Sequence, residues 1–217
     1  MTISPQDRES LVALAEPLVE LISAELANRS EPLFVALDGR SGSGKSTLAV
    51  VVAQMAGVDE AGTPLVTVIE GDQFYAGGSA ATWDSRSPEQ KVVGVIDWRR
   101  QRQVLEALRR DRFAAWHEFD WDSYDWDSDR SPLAPELVGC AVTPGVILEG
   151  AYSARPELAD LLDRRVLLDV PADVRRARLI HREGEGHRAD WEQRWAEAED
   201  LYFGQVLRPE DIDLVIG

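Results

Sequence analysis

The sequence predicts an α/β fold, a parallel β-sheet covered by helices on both faces. Short apolar runs alternate with segments of helical periodicity along most of the 217 residues. Each run is apolar throughout rather than at every second position, as strands buried on both faces require. The first run also leads straight into Gly39-Arg40-Ser41-Gly42-Ser43-Gly44-Lys45-Ser46, a G-x-x-x-x-G-K-[ST] string that belongs between a strand and a helix.

Residues 5–29 set Leu11, Leu14, Leu18, Leu21, Ile22 and Leu26 at helical spacing, and Pro17 is expected to kink that helix or mark an earlier boundary. The run at 33–37 is a buried strand ending in Asp38-Gly39, followed by a helix at 46–56 and a strand at 65–70. Residues 71–97, with Gly71, Gly77, Gly78 and Pro88, read as a long functional loop with at most one helical turn. A helix is expected at 98–110, whereas 113–131 is crowded with aromatics and aspartates and shows no clear period. Strands at 146–149, 166–170 and 213–216 and helices near 155–163, 173–182 and 190–204 complete the pattern. The stretch 71–145 exceeds a simple crossover and is expected to carry inserted acceptor-binding elements. The length fits one domain over 1–217, with residues 1–30 as an N-terminal helix.

Composition narrows the function classes. Lys plus Arg number 23 against 39 Asp plus Glu, a formal charge of −16, which argues against a long nucleic acid held by its phosphates. No stretch approaches the roughly 18 consecutive apolar residues of a membrane span, and no basic region followed by an apolar run marks a secretory signal. A single cysteine, Cys140, suits a reducing compartment, so the expected location is the cytoplasm. The only lysines are Lys45 and Lys91; every other basic residue is arginine.

The glycine-rich string is the strongest chemical signal. Its glycines let backbone N–H groups turn inward around phosphates, and the helix that follows adds its positive end. Lys45 would reach the β and γ phosphates, and the Ser46 hydroxyl would ligate Mg²⁺. Asp72 follows the second strand in Gly71-Asp72-Gln73-Phe74-Tyr75, at the carboxyl end of the sheet where ligands bind. A carboxylate there can take the proton of an attacking hydroxyl, the alternative being a turn or helix-cap aspartate. Glu149 ends the third strand, where an acid holds Mg²⁺ directly or through water, or is an ordinary strand-end glutamate.

Taken together, DGRSGSGKST (38–47), GDQFY (71–75), FDW or YDW (119–121, 124–126), ILEG (147–150) and an Arg-rich helix near 175–182 resemble the uridine kinase/phosphoribulokinase/pantothenate kinase group of P-loop kinases. The resemblance spans most of 33–216. It implies a P-loop NTPase fold with strand order 2-3-1-4-5 and a helical lid at 173–190. It makes Asp72 the catalytic base and Tyr75 a pocket residue. It assigns ATP to the loop from Gly39 through Ser41, Gly42, Ser43, Gly44, Lys45 and Ser46 to Thr47, and magnesium to Ser46 and Glu149. Two features depart from nucleoside-specific members. No histidine follows the aromatic motif within Asp127–Arg130, and Gly186-His187-Arg188-Ala189 stands where their lid ends in Arg-Gly.

Arg175, Arg178 and Arg182 share one helix face while Arg176 points elsewhere. That face can close over ATP, with Arg178 and Arg182 as the best-matching lid arginines and Gly184 and Gly186 as hinges. A solvated basic face is the alternative. Phe113, Trp116, Phe119, Trp121, Tyr124 and Trp126 alternate with Asp120, Asp122 and Asp125, a mixture that suits a small neutral acceptor: stacking from the rings, hydroxyl contacts from the acids. Tyr124, Trp126 and Tyr152 join Asp72 and Tyr75 as candidate acceptor contacts. His117 reads as a surface residue, and Asp97-Trp98 as a helix cap.

The expected activity is a small-molecule kinase that uses ATP and Mg²⁺, with a nucleoside such as uridine or cytidine as first acceptor. Pantothenate, a sugar or another vitamin-like alcohol is the alternative within that class, and a homodimer is an open option. A regulatory ATPase or GTPase switch is the competing class, although no N-K-x-D-like guanine motif occurs.

Overall fold

Strand β1 (Leu33–Asp38) lies at the centre of the main sheet and is buried along its whole length. Its side chains divide between two cores, because alternate residues of a strand point to opposite faces. Leu33, Val35 and Leu37 pack with Ala15, Leu18 and Ile22 of helix α1 (Pro5–Leu26) and with Leu48, Ala49 and Val52 of α2 (Lys45–Ala56). Phe34 and Ala36 face the other core, built on Val104, Leu105 and Leu108 of a helix described below. The computed structural model describes residues 5–183 and 194–217.

Around β1 run β2 (Val66–Glu70), β5 (Gly145–Glu149), β6 (Arg164–Leu168) and β7 (Leu214–Ile216), every pairing parallel. The order is β2-β5-β1-β6-β7. Counting the strands of this sheet alone, that is the expected 2-3-1-4-5. β1 and β5, neighbours at the switch in order, end at Asp38 and Glu149 on the same edge.

The region between β2 and β5 is more ordered than the sequence suggests. A 3₁₀ turn (Gly71–Phe74) is followed by α3 (Ala80–Asp84) and α4 (Pro88–Gly94), not by a long loop. Ser79 caps α3, and Ser87 with Gln90 forms a reciprocal capping box on α4, a spacing present in the sequence as Ser-Pro-Glu-Gln. Helix α5 (Trp98–Asp111) begins at Asp97, whose side chain accepts from the Arg100 amide as a cap. Then comes an antiparallel hairpin that sequence reading missed, β3 (Phe113–Phe119) with β4 (Leu133–Ala141). In β3 burial alternates only from Phe113 to Trp116, with Phe113 on the exposed side, before a register shift between His117 and Phe119, and β4 is exposed almost throughout, so residue types alone reveal no period of two.

Other differences are local. Pro17 sits on the exposed side of α1, and the helix continues through it. The expected helix near 155–163 is a 3₁₀ segment, Pro156–Leu161. Strand β6 starts two residues earlier than expected, its first two positions being arginines whose charge disguised them. Helix α6 (Ala172–Glu183) is described up to Glu183, and α7 is described from 194 to 201, passing into a π turn at Tyr202–Val206. The hinge glycines Gly184 and Gly186, the Gly186–Ala189 string and the start of the 190–204 helix lie outside the described residues. No described helix is long and apolar enough to cross a membrane.

Lys91 has a structural place. It is buried in α4, and its Nζ donates to the Arg194 carbonyl at 2.8 Å, tying α4 to the first described turn of α7. Arg194 adds a two-pronged pair with Asp84, and Trp195 packs on Trp83. Lys91→Met, which keeps the apolar stem and leaves that carbonyl without its donor, is expected to lower stability by about 1–2 kcal/mol. Urea unfolding measures this, and an unchanged midpoint would show that the contact is inert.

Candidate active site

The turn after β1 is shaped by close approaches that only glycine permits. At Gly42 (φ 77°) a Cβ would meet Leu179 Cδ1 at 2.5 Å and the Arg175 carbonyl oxygen at 2.7 Å, so α6 lies directly on the loop. At Gly39 a Cβ would come within 2.5 Å of the Leu168 carbonyl oxygen at the end of β6. Helix α2 starts at Lys45, which points back across the loop with Nζ 3.3 Å from the Arg40 carbonyl oxygen. The Ser46 hydroxyl donates to Glu149 Oε2 at 3.3 Å.

These residues line one side of a cavity of about 360 Å³. Ser41, Gly42, Gly44, Lys45, Ser46 and Thr47 form its phosphate-loop wall. Asp72, exposed toward the cavity from the 3₁₀ turn, stands with Glu149 at its base. Glu149 is only 3% exposed; burial and then the negative charge of Asp72 push its carboxyl up to about 7, against the opposing pull of Lys45 and Ser46.

The far wall is aromatic and apolar: Tyr75, Val95, Ile96, Trp121, Tyr152 and Trp195. Tyr75 and Trp121 are stacked, with centroids 5.1 Å apart and planes 25° from parallel, and Phe119 meets Tyr75 edge-on. Tyr152 adopts φ 65°, rare for a residue with a side chain, and is held there by its amide bonding to Asp38 Oδ1 and its ring packing on Tyr202. Burial drives the Tyr75 and Tyr152 phenols well above the usual tyrosine range, so both stay protonated.

From above, α6 brings Arg178 and Arg182 to the cavity. Arg178 donates to the Ser43 carbonyl at 2.6 Å, whereas Arg175 bonds the carbonyls of Ser41 and Val170 and lines an adjoining cleft with Arg176. Glu199 of α7 also reaches the loop, accepting from the Ser41 amide at 2.9 Å and its hydroxyl at 2.5 Å. Behind the loop Asp38 is fully buried and accepts from Gly39, Tyr152 and Ala154 amides and from the Tyr202 hydroxyl.

No family model matches the sequence. The chain is similar to a uridine kinase of Clostridium perfringens strain SM101, 26% identical over 154 residues that cover 70% of this chain and 68% of that one. In fold it is similar to a candidate uridine kinase from Bacillus stearothermophilus, with TM-score 0.69 and 18% identity over 96% of this chain and 100% of that one. It is likewise similar to a candidate fructose transport system kinase from Silicibacter sp. TM1040, with TM-score 0.66 and 23% identity over 95% and 98% of the two chains. In sequence the chain is uridine kinase-like, and its fold is that of P-loop kinases. That likeness implies a phosphotransferase acting on an alcohol, with ATP, usually Mg²⁺, and a small acceptor.

In this kinase the expected loop residues, Asp72, Tyr75, Glu149, Tyr152, Arg178 and Arg182 come together around one cavity, apart from Gly39 and Ser43, which shape the loop from behind. Tyr124 and Trp126 do not line it; the Tyr124 hydroxyl donates to the Gly78 carbonyl and lies 3.4 Å from Tyr75 Oη, in a supporting layer. Trp121 of the FDW triplet takes the wall instead. The aspartates of this stretch serve turns: Asp120 and Asp125 accept from amides two or three residues on. Asp129 accepts from Ser79 and Thr82 at the start of α3, contacts that hold its carboxyl at about 2. His117, half-buried in the hairpin, pairs with the Ala134 carbonyl away from the site. Asp38, Trp195 and Glu199 escaped sequence reading. Asp38 carried only a strand-end signal, and the other two carried none.

Because the Glu149 carboxyl lies near 7 in the folded chain and near 4.5 when unfolded, the native state holds the extra proton between those values. The associated stability is present below pH 4.5 and lost as pH rises through about 7. Ligand-free wild type should therefore lose on the order of 3 kcal/mol relative to Glu149→Gln between pH 4.5 and pH 8, read by denaturant titration. A difference flat in pH would contradict the assignment.

Proposed function

We propose that this kinase transfers the γ-phosphoryl group of ATP to a hydroxyl of a nucleoside, with uridine or cytidine as first choice. One observation carries the reading: Lys45, Ser46 and Glu149 share a cavity with Asp72 and with the Tyr75–Trp121 aromatic wall. A flat base can stack on such a wall, while a sugar hydroxyl reaches the carboxylate beside the phosphate loop.

In this mechanism the acceptor hydroxyl attacks the γ phosphorus, the bond to the β-bridging oxygen breaks, and the proton passes to Asp72. Lys45 and the loop amides hold the phosphates in line. Ser46 and Glu149 would hold Mg²⁺ through the hard oxygen donors it favours, and the ion would supply charge neutralisation on the phosphates. Arg178 and Arg182 stabilise the charge on the transferred group, and α6 helps to exclude water that would otherwise hydrolyse ATP.

ADP release with Mg²⁺-ATP across nucleosides, pantothenate and sugars tests the proposal. Nucleosides should stimulate release most. Asp72→Asn should cut acceptor-dependent turnover by roughly a hundredfold or more while leaving ATP affinity within about threefold. Preferential stimulation by pantothenate or a sugar would replace the acceptor, and release indifferent to every acceptor would favour a nucleotide switch. Loss of ATP binding in the Asn variant would make Asp72 structural.

A further inference from the structure

Glu199 is the acid at this cavity for which the proposed transfer has no use. It is only 7% exposed and lies against a loop meant to hold a polyanion, where an idle carboxylate would weaken nucleotide binding. Its contacts explain why it is tolerated. Oε1 accepts both the amide of Ser41, at 2.9 Å, and its hydroxyl, at 2.5 Å. Oε2 faces Arg40 and Arg175 at 4.0 and 3.9 Å, so two guanidiniums balance the charge.

The same Arg175 donates to the Ser41 carbonyl at 3.3 Å. Ser41 is thus gripped at its amide, hydroxyl and carbonyl, by α7 on one side and α6 on the other. The next residue, Gly42, is the one on which α6 rests. The helix carrying Glu199 is anchored on either side of it. Lys91 and Asp84 hold Arg194, and the Tyr202 hydroxyl donates to Asp38 at 2.7 Å. A carboxylate on so fixed a helix can set the position of a loop.

We propose that Glu199 is a positioning residue that, through Ser41 and Arg175, fixes the phosphate loop and seats the lid helix α6 on it. The inference rests on the reading of this loop as the ATP site, but not on the identity of the acceptor. The two bonds to Ser41 need an acceptor rather than a charge, so glutamine, which keeps them and loses only the long pairs to Arg40 and Arg175, should largely serve where alanine should not.

The test is calorimetric binding of a non-hydrolysable Mg²⁺-ATP analogue to the full chain, with steady-state kinetics beside it. Glu199→Ala should weaken analogue binding by about tenfold or more, and Glu199→Gln should restore it to within about threefold of wild type. The alanine variant should raise KM for ATP and leave KM for the acceptor within about twofold. Ser41→Ala should cost less, and the double variant should lose less than the sum of the two. Alanine binding the analogue as wild type does, or glutamine failing as alanine does, would overturn the proposal. Should the alanine variant not fold, Arg175→Gln serves. It should weaken analogue binding without changing KM for the acceptor, and unchanged binding would equally overturn it. Wild type binding no analogue would instead bring down the ATP-site reading itself.

Discussion

The site depends on one buried carboxylate. Asp38, at the end of the central strand, accepts four hydrogen bonds from three separate segments: Gly39 at the start of the phosphate loop, Tyr152 and Ala154 after β5, and Tyr202 after α7. Burial raises its carboxyl above the ordinary range, with its hydrogen-bond partners and Lys45 opposing the rise. A group in that balance persists because every lone-pair direction is used; an unpaired acid there would be costly. Through it, the aromatic wall of the cavity (Tyr152) and the glycine-rich loop (Gly39) are positioned by the same two oxygens.

Charge is handled locally rather than globally. The net −16 does not describe the cavity at the glycine-rich loop, where the start of α2 and the cations Lys45, Arg178 and Arg182 stand together. Many arginines elsewhere pair with carboxylates, as in Arg102–Asp160 and Arg29–Asp163, contacts worth little individually where solvent reaches them. The two lysines are used differently. Both are buried, and each ammonium reaches a main-chain carbonyl, Lys45 that of Arg40 within the loop and Lys91 that of Arg194 on α7. One lines the cavity at the glycine-rich loop, and the other braces the helix that carries Glu199.

What was legible in the sequence follows from how locally each signal is encoded. The sheet strands are short runs buried on both faces, and their apolar character survives any register. The glycine-rich string encodes a backbone shape within eight residues, so its place between β1 and α2 could be read directly. Asp72 and Glu149 stand at strand ends, where the topology itself points them at the crevice. The β3–β4 hairpin was hidden because a bulge scrambles one strand and exposure flattens the other. Trp121 could not be told from Tyr124 and Trp126, since which aromatic faces the cavity depends on turns that Asp120 and Asp125 impose. Glu199 lies 158 residues from Ser41, and no local pattern announces such a contact.

The central claim is that the phosphoryl group leaves ATP for a hydroxyl held against Asp72 rather than for water. Phosphorus NMR of the enzyme with Mg²⁺-ATP and a nucleoside follows the γ phosphorus itself. The account predicts that its signal is replaced by that of a phosphomonoester, with ADP formed in equal amount and little inorganic phosphate. Inorganic phosphate as the main product, at a rate indifferent to the nucleoside, would contradict it.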